Sequence, residues 1–290
     1  MRKNKLFLIV AAAAAGWALA ALLAAALAVY AGLYDVAATR QHWQITHSVL
    51  EVAMRQSVRL RAQDIHEPPL AGEHMALRGA ACFRDKCVQC HGAPGVAQGD
   101  IGKSMQPLPG PLVDAPQHWR PRELYWVIRH GIKMTGMPAW EYRLADEEIW
   151  GLVAFMQHLP RLNAVQYAQW MQRAPAAPAC GRDSAAPPFS AAPAAQAAAD
   201  VERGRQALHQ YACTACHSIP GVTGPAVFVG PPLQGIAGRG LIAGTLPNTP
   251  ENLARWLMHT QKIKPATAMP ELGVAPQDAR DIAAYLATLR

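Results

Sequence analysis

Two short motifs of cysteine and histidine are the residues of this chain best suited to chemistry. In each motif two residues separate a pair of cysteines and a histidine follows directly, giving the sets Cys87, Cys90, His91 and Cys213, Cys216, His217. This C-x-x-C-H spacing is the attachment signal for c-type haem. Two thiols on one turn can each form a thioether to a haem vinyl group, and the adjacent histidine then lies beneath the iron as its proximal ligand. The motifs therefore predict two covalently attached haem c groups.

A C-x-x-C pair has two other common uses, as a redox-active dithiol and as half of a zinc site. A thioredoxin-like dithiol is expected beside a βαβ pattern, which this sequence does not show. A zinc site needs two further ligands at compatible spacing, and the other histidines, for example His118, His130 and His259, form no such pairs. The duplication of the whole motif favours haem.

A Met-Pro dipeptide follows each motif by about fifty residues, with the methionines at Met137 and Met269. A thioether is a soft metal ligand, and ligation by histidine and methionine raises the reduction potential of a haem. Methionine also fills gaps in apolar cores, but the repeated offset favours ligation of the iron. Met134 lies close to Met137 and is the alternative ligand in the first unit.

The segments around each motif have helical patterning. A glycine, Gly79 or Gly204, lies in the segment before each motif, and closing helices are predicted over Leu144–Leu159 and Pro276–Leu289. Because glycine has no Cβ, we interpret the two glycines as points where first and last helices cross closely. Apolar residues recur at helical spacing in the closing helices, namely Ile149, Leu152, Val153, Met156 and Ile282, Ala283, Tyr285, Leu286, Leu289. Carboxylates suited to a helix N-terminus occupy their first turns, namely Asp146, Glu147 and Asp278.

With these features the sequence resembles class I cytochrome c twice over, and the second unit is the closer match. Its segment Gly230–Arg239 reads like the G-P-x-L-x-G-x-x-G-R stretch of that family. The resemblance implies that the Pro231 carbonyl accepts a hydrogen bond from the ring N–H of His217. It further implies that Arg239 neutralises a buried haem propionate and that Trp256 lies near the methionine ligand. The second unit is similar to cytochrome c domains that are fused to terminal oxidases or serve them.

The first unit is similar to the cytochrome modules of membrane-bound bacterial dehydrogenases and of oxidase-linked dihaem proteins. The stretch 131–140 around Met137 carries that similarity. The unit lacks a clear G-P-x-L-x-G-x-x-G-R segment, so Pro109 or Pro111 is the candidate for the carbonyl that orients His91. No arginine is assigned to a propionate there.

The N-terminal region has the pattern of a membrane anchor. Residues 6–34 carry no charged side chain, and about 20 apolar residues suffice to cross a bilayer as a helix. Arg2, Lys3 and Lys5 precede this stretch, and Arg40 is the one Lys or Arg between it and Arg55. That asymmetry predicts a cytoplasmic N-terminus and a periplasmic remainder at a bacterial inner membrane. A cleaved signal peptide is the alternative, although its apolar region is usually about 7–15 residues.

The sequence predicts an all-α protein with one N-terminal transmembrane helix and two tandem class I cytochrome c domains. The expected division is an anchor over 1–34, a helical connector over 35–73, cytochrome domains over 74–173 and 200–290, and an Ala/Pro-rich linker over 174–199. An amphipathic helix over Gln41–Ala62 is predicted to pack against the first domain, with docking of a partner as the alternative. Its apolar residues are Ile45, Val49, Val52, Ala53 and Leu60.

Cys82 and Cys180 belong to neither motif. A disulfide between them is permitted outside the cytoplasm, but its geometry is not readable from sequence. The sequence alone therefore leaves open whether Cys82 and Cys180 form a disulfide.

The charge pattern bears on possible partners. The formal net charge is +7, from 27 Lys and Arg against 20 Asp and Glu. Three of these cations precede the apolar stretch, and no block of like charge follows it, so nucleic-acid binding is not expected.

The predicted function is electron transfer without a catalytic residue. The expected partners are the membrane and respiratory redox proteins: a terminal oxidase as acceptor, with a bc1-type complex or a dehydrogenase as donor. One alternative is the electron-accepting cytochrome subunit of a membrane-bound dehydrogenase. Another is a dihaem peroxidase, which needs an iron with an open sixth position.

Overall fold

The computed structural model describes residues 2–40, 43–176, 180–181, 198–224, 229–265 and 267–290. The fold is mostly helical, as predicted. Its α-helices are α1 Arg2–Tyr30, α2 Gln44–Ala62, α3 Glu73–Lys86, α4 Val88–His91, α5 Asp100–Lys103, α6 Ala115–His118, α7 Pro121–His130, α8 Asp146–Met156, α9 Ala164–Arg173, α10 Val201–Gln210, α11 Pro250–Met258, α12 Thr260–Ile263 and α13 Pro276–Leu286. Short 3-10 turns cover Leu159–Arg161, Cys213–Ala215 and Ile236–Gly238. An antiparallel ribbon pairs β1 Leu241–Ile242 with β2 Leu246–Pro247, with Ile242 opposite Leu246.

Helix α1 is the apolar helix that the N-terminal pattern predicts. Its segment Asn4–Tyr30 has 27 residues, its most apolar 18-residue window has a mean hydropathy of 2.4, and none of that window is buried against the rest of the protein. At about 1.5 Å per residue it is long enough to cross a hydrocarbon core of about 30 Å. Within the described ranges it is the one helix with the length and composition for this, and a signal sequence meets the same criteria.

Helix α2 packs on the first unit through its C-terminal end. Val58 and Ala62 are buried there, and the guanidinium of Arg122 donates to the Gln63 carbonyl at 3.0 Å. The prediction that the apolar residues of this helix pack against the first unit is wrong. All of them are exposed, namely Ile45, Val49, Val52, Ala53 and Leu60. The helix begins at Gln44, and the predicted start at Gln41 lies outside the described residues.

Two helix crossings organise the two units, and both cross at the predicted glycines. A Cβ added to Gly79 in α3 would lie 1.8 Å from the carbonyl oxygen of Gly151 in α8. A Cβ added to Gly204 in α10 would lie 1.9 Å from the carbonyl oxygen of Asp281 in α13. Since no side chain fits at such distances, the backbones touch and both glycine predictions are confirmed. The sequence analysis missed Gly151, which lets the second backbone approach.

The closing helices are shorter than predicted, although their apolar faces are confirmed. Helix α8 begins at Asp146 because the Glu148 carboxylate accepts from the Ala145 amide at 2.8 Å and caps the first turn. It ends at Met156, and the chain tightens into the 3-10 turn at Leu159. Helix α13 ends at Leu286. The predicted apolar residues of both helices are buried, apart from Leu289, which lies beyond α13 and packs partly exposed against the same core.

A buried ion cluster joins the first and last helices of the second unit. The Asp278 and Asp281 side chains are fully buried, and Arg203 donates to them at 2.9 and 3.0 Å. Asp278 also accepts from the Tyr211 hydroxyl at 2.7 Å. Its role is therefore larger than the predicted interaction with the helix dipole, because a buried carboxylate needs partners that replace water.

Cys82 and Cys180 form a disulfide, with their Cα atoms 5.3 Å apart. The bond ties the region predicted as a linker to helix α3, and the Gly181 amide donates to the Glu148 carboxylate at 3.0 Å. The rest of the predicted linker, 177–179 and 182–197, lies outside the described residues. The packed part of the first unit thus extends to Cys180.

We expect the Cys82→Ala/Cys180→Ala variant to lower the free energy of unfolding of the first unit by about 2–5 kcal/mol, because the bond closes a loop of 98 residues. Urea denaturation of both forms measures this. Thiol labelling of the denatured, unreduced holoprotein should find no free cysteine, and two should appear after reduction. Two labelled thiols before reduction would contradict the assignment.

Candidate haem sites

Each cysteine-histidine motif folds into a single turn. In the first unit Cys87 directly follows α3, and the amides of Cys90 and His91 both donate to the Cys87 carbonyl, at 3.1 and 2.9 Å. In the second unit the amides of Cys216 and His217 donate to the Cys213 carbonyl at 3.2 and 2.9 Å. The same hydrogen bonds therefore bring two thiols and an imidazole onto one turn in both units.

The first cysteine of each motif bears on the competing uses of C-x-x-C, since Cys213 is buried and Cys87 is half-buried. Burial raises the pKa of the Cys87 thiol to about 12 and that of Cys213 to about 11. A redox-active dithiol instead has a cysteine whose pKa is lowered, since the thiolate is the reactive form. The environment of both thiols therefore favours an attachment role over a thioredoxin-like one.

Backbone carbonyls orient both histidines. The His217 Nδ1 lies 2.7 Å from the Pro231 carbonyl oxygen, which confirms the predicted contact. The His91 Nδ1 lies 2.7 Å from the carbonyl oxygen of Gly110. The prediction of Pro109 or Pro111 is thus wrong by one residue. In each case an Nδ1–H donor leaves Nε2 as the nitrogen available to a metal.

The surroundings of His91 fit a metal-bound imidazole. Burial lowers its pKa, and a metal takes the neutral ring. An apolar cavity of about 340 Å³ adjoins the ring, lined by residues that include Phe83, Leu112 and Leu159. Pro109 stabilises the loop that carries Gly110, because its carbonyl accepts a hydrogen bond from the Gln98 side-chain amide at 2.5 Å.

In the second unit Gly230 allows the backbone to pass against His217. A Cβ added at this position would lie 2.4 Å from Cε1 of the imidazole ring. The segment that carries Pro231 can therefore reach the ring only with glycine at 230. With two thiols, an oriented imidazole and this close backbone, the residues present fit a covalently attached haem.

The Met137 loop is closed by its own hydrogen bonds. The Ile132 amide donates to the Met137 carbonyl at 3.2 Å, and the Met137 amide donates to the Thr135 hydroxyl at 3.1 Å. Met137 packs against the core of the first unit, whereas the Met134 side chain is 98% exposed. These positions favour Met137 over Met134 as the residue that faces a haem.

Met105 is a residue of this loop region that the sequence analysis missed. A Cβ added to Gly136 would lie 2.3 Å from the Met105 sulfur, so this thioether rests against the backbone beside Met137. The sequence pattern does not signal this contact, because Met105 is not part of a Met-Pro dipeptide and has no counterpart in the second unit.

The Met269 loop is held from α12. The Gln261 side-chain amide donates to the Thr267 and Met269 carbonyls at 2.9 and 2.8 Å. Trp256 is 5% exposed and lies in the core against which Met269 packs. This agrees with the position inferred for Trp256, and Gln261 is a further residue that sequence reasoning did not find.

Arg239 lies in the loop that orients His217. Its guanidinium donates to the Pro232 and Gln234 carbonyls at 2.5 and 3.1 Å, while the side-chain amide of Asn248 donates to the Arg239 carbonyl at 2.9 Å. The Arg239 guanidinium is therefore held at the carbonyl of Pro232, the residue that follows Pro231. Its role toward a propionate stays a prediction.

Comparisons with known proteins match a cytochrome c-type domain to the region around each motif. The family model described as cytochrome c oxidase, cbb3-type, subunit III matches residues 74–156, and the family model described as cytochrome c matches residues 201–290. Cytochrome c oxidase subunit 2 of Alkalihalophilus pseudofirmus is 35% identical over 91 residues, which is 31% of this chain and 26% of that protein. The chain thus spans about a quarter of the length of this curated relative.

Proposed function

We propose that this chain, whose two cytochrome c-type domains follow an N-terminal apolar helix, is a membrane-anchored dihaem cytochrome that carries electrons to a terminal oxidase. The observation that carries the proposal is the duplicated site. In both units one turn holds two thiols and a histidine, a backbone carbonyl lies 2.7 Å from the histidine Nδ1, and a hydrogen-bonded loop presents a methionine.

Different residues have different roles in holding each haem. The motif cysteines, Cys87 and Cys90 or Cys213 and Cys216, provide the covalent attachment. Carbonyls hold the rings of His91 and His217 so that each could bind a haem iron through Nε2, and Met137 and Met269 would supply the second ligand. When bound, haem iron supplies one-electron chemistry by alternating between its ferric and ferrous states. Around it the chain excludes water with apolar side chains such as Trp256, and Arg239 balances propionate charge.

The oxidase is the acceptor that the comparisons favour. The first domain resembles an oxidase subunit, and the relative with 35% identity is named as another. A bc1-type complex or a dehydrogenase then supplies the electrons. A role as the cytochrome subunit of a membrane-bound dehydrogenase has no comparable observation behind it. A peroxidase-type reaction needs an iron with a free coordination position. Ligation by Met137 and Met269 would leave no such position on either haem.

The anchor accounts for where this transfer takes place. With α1 retained in the inner membrane and the basic N-terminus in the cytoplasm, both haem domains lie in the periplasm. Confinement at the membrane raises their effective concentration near membrane complexes.

We expect the purified holoprotein to contain two haems per chain, both low-spin, with a methionine-to-iron charge-transfer band in the oxidised form. A pyridine haemochrome assay and intact mass give the stoichiometry, and optical and paramagnetic resonance spectra give the spin state. The same mass decides whether residues 1–34 are retained. One haem per chain, or a substantial high-spin fraction in the native state, would overturn the proposal.

A further inference from the structure

One side chain of the first domain is buried in the core of the second. Tyr142 follows the Met137 loop, yet it is 3% exposed and belongs to the apolar cluster built from α10, α11 and α13. Among the described residues it is the one member of that cluster that precedes residue 200. A residue that is covered in this way reports a docked pair of domains, since separation would leave its ring in water.

The contacts of Tyr142 explain its burial. Its hydroxyl donates to the Arg203 carbonyl at 3.2 Å, and its ring meets the Tyr211 ring edge-on with centroids 6.4 Å apart. The guanidinium of Arg203 lies 5.1 Å from the centroid of the Tyr142 ring. Burial raises the pKa of Tyr142 to about 12, so the hydroxyl stays protonated and remains a donor.

The neighbours of Tyr142 contact the same helix. Arg143 donates to the Gln210 carbonyl at 2.5 Å, and its guanidinium lies 4.5 Å from the centroid of the Tyr211 ring. A cation at this position suits the C-terminal end of α10, where carbonyls are left without helical partners. Glu141 lies 3.8 Å from the Arg203 guanidinium. Three consecutive residues thus reach the second domain.

This segment is anchored to its own domain. The Glu141 amide donates to the Arg129 carbonyl at 3.0 Å, and the Glu141 carboxylate accepts from the Arg129 guanidinium at 3.0 Å. The Arg143 amide donates to the Trp140 carbonyl at 2.9 Å. The contact therefore connects two ordered structures.

The receiving residue is equally fixed, and it lies beside a haem motif. The Tyr211 hydroxyl donates to Asp278 at 2.7 Å and accepts from the Ala275 amide at 3.2 Å. Tyr211 precedes Cys213 by one intervening residue, and the Cys213 sulfur lies 3.9 Å from the Tyr211 carbonyl oxygen. On the other side, Tyr142 follows the Met137-Pro138 dipeptide closely in the chain.

We propose that Glu141, Tyr142 and Arg143 form a docking clamp that holds the second cytochrome domain on the first and fixes the separation between the Met137 loop and the Cys213 turn. The clamp makes the two domains one body, although a long segment joins them. On the function proposed above, an electron passing from a reduced haem in one domain to an oxidised haem in the other would cross a fixed distance, and no bond would form or break.

The test measures the docking apart from electron transfer. Spin labels are placed on the holoprotein through Val165→Cys in the first domain and Leu241→Cys in the second, both exposed positions, and the distance between them is measured with the haems reduced. We expect a single narrow distribution, and a broad one after Tyr142→Ala/Arg143→Ala. A broad distribution in the parent, or an unchanged narrow one in the variant, overturns the proposal.

Electron transfer between the haems is the second readout. After flash photoreduction, we expect the intramolecular rate to fall by at least about tenfold in the double variant, because tethered domains must then meet by diffusion. Arg143→Ala alone leaves the Tyr142 ring in the second core and should give a smaller fall. Arg59→Ala removes an exposed arginine from α2 and should change neither readout.

The outcomes separate the two proposals. Retention of low-spin spectra in the double variant shows that both haem sites are folded, so that a change in the distances reports docking alone. If the parent had the narrow distribution but high-spin haems, the electron-carrier function would fail and the clamp would stand. An unchanged transfer rate with broadened distances would contradict the clamp as the device that sets the transfer distance.

Discussion

Replacing Met269 with alanine should open the sixth position of the second haem, and Met137→Ala should do the same to the first. Each variant is expected to lose one half of the methionine-to-iron band and to gain a high-spin signal from one haem. The reduction potential of that haem should fall by on the order of 100 mV, because axial ligands set haem potentials over a range of roughly 0.8 V. Redox titration followed optically measures both changes.

Two other methionines of the first unit provide matched controls. Met134→Ala should leave the spectrum unchanged, because that side chain is 98% exposed. Met105 is a further thioether, and its sulfur lies against the backbone of Gly136, next to Met137. The Met105→Ala/Met137→Ala variant therefore distinguishes a replaced ligand from a wrong assignment. If Met137→Ala retained the full band and the double variant lost half of it, Met105 would supply the ligand in the absence of Met137; if both retained the full band, Met137 would not be a ligand.

Adding one methyl group at either helix crossing should have the largest effect on folding. The Cβ atoms of Gly79→Ala and Gly204→Ala would lie 1.8 and 1.9 Å from backbone oxygens, so the crossing helices would have to separate. Overpacking a core typically costs about 1–3 kcal/mol, and it costs more where backbone rather than a flexible side chain must move. We expect each variant to lose more than about 3 kcal/mol of a domain stability of about 5–15 kcal/mol.

Urea denaturation, followed through the haem spectrum of each domain, measures this loss. Gly72→Ala and Gly240→Ala are the controls, since the nearest atom to the first new Cβ is 3.9 Å away and the second meets nothing within 4 Å. Gly72 immediately precedes α3, so that control probes the same helix. An alanine at Gly79 or Gly204 with the stability of its control would show that the helices cross less closely.

The sequence by itself determined the class of fold and predicted the chemistry of both sites. Thioether attachment needs two thiols on one turn and a histidine beside them, and such local spacing is written in consecutive residues such as Cys213–His217. Helical periodicity likewise predicted which residues of α8 and α13 are buried, because 3.6 residues per turn fixes which side chains share a face. The glycines at 79 and 204 were recognised because the repeat placed them at equivalent positions.

Contacts between residues distant in the chain were decided by the tertiary structure. The carbonyl that contacts His91 belongs to Gly110 and not to either flanking proline, because the path of the loop decides which carbonyl points toward the ring. The apolar residues of α2 were predicted to pack and are exposed, since periodicity finds a face but does not supply a surface to cover it. The pairing of Cys82 with Cys180 also needed the fold, because 98 residues separate them.

The relation between the two domains shows this division most clearly. Tyr142 stands in the first domain by sequence, and its ring completes the core of the second. No periodicity marks such a residue, because its burial depends on a surface formed by helices α10, α11 and α13 far along the chain. The sequence therefore predicted two haem sites, and only the tertiary structure showed that Tyr142 of the first unit is buried in the core of the second.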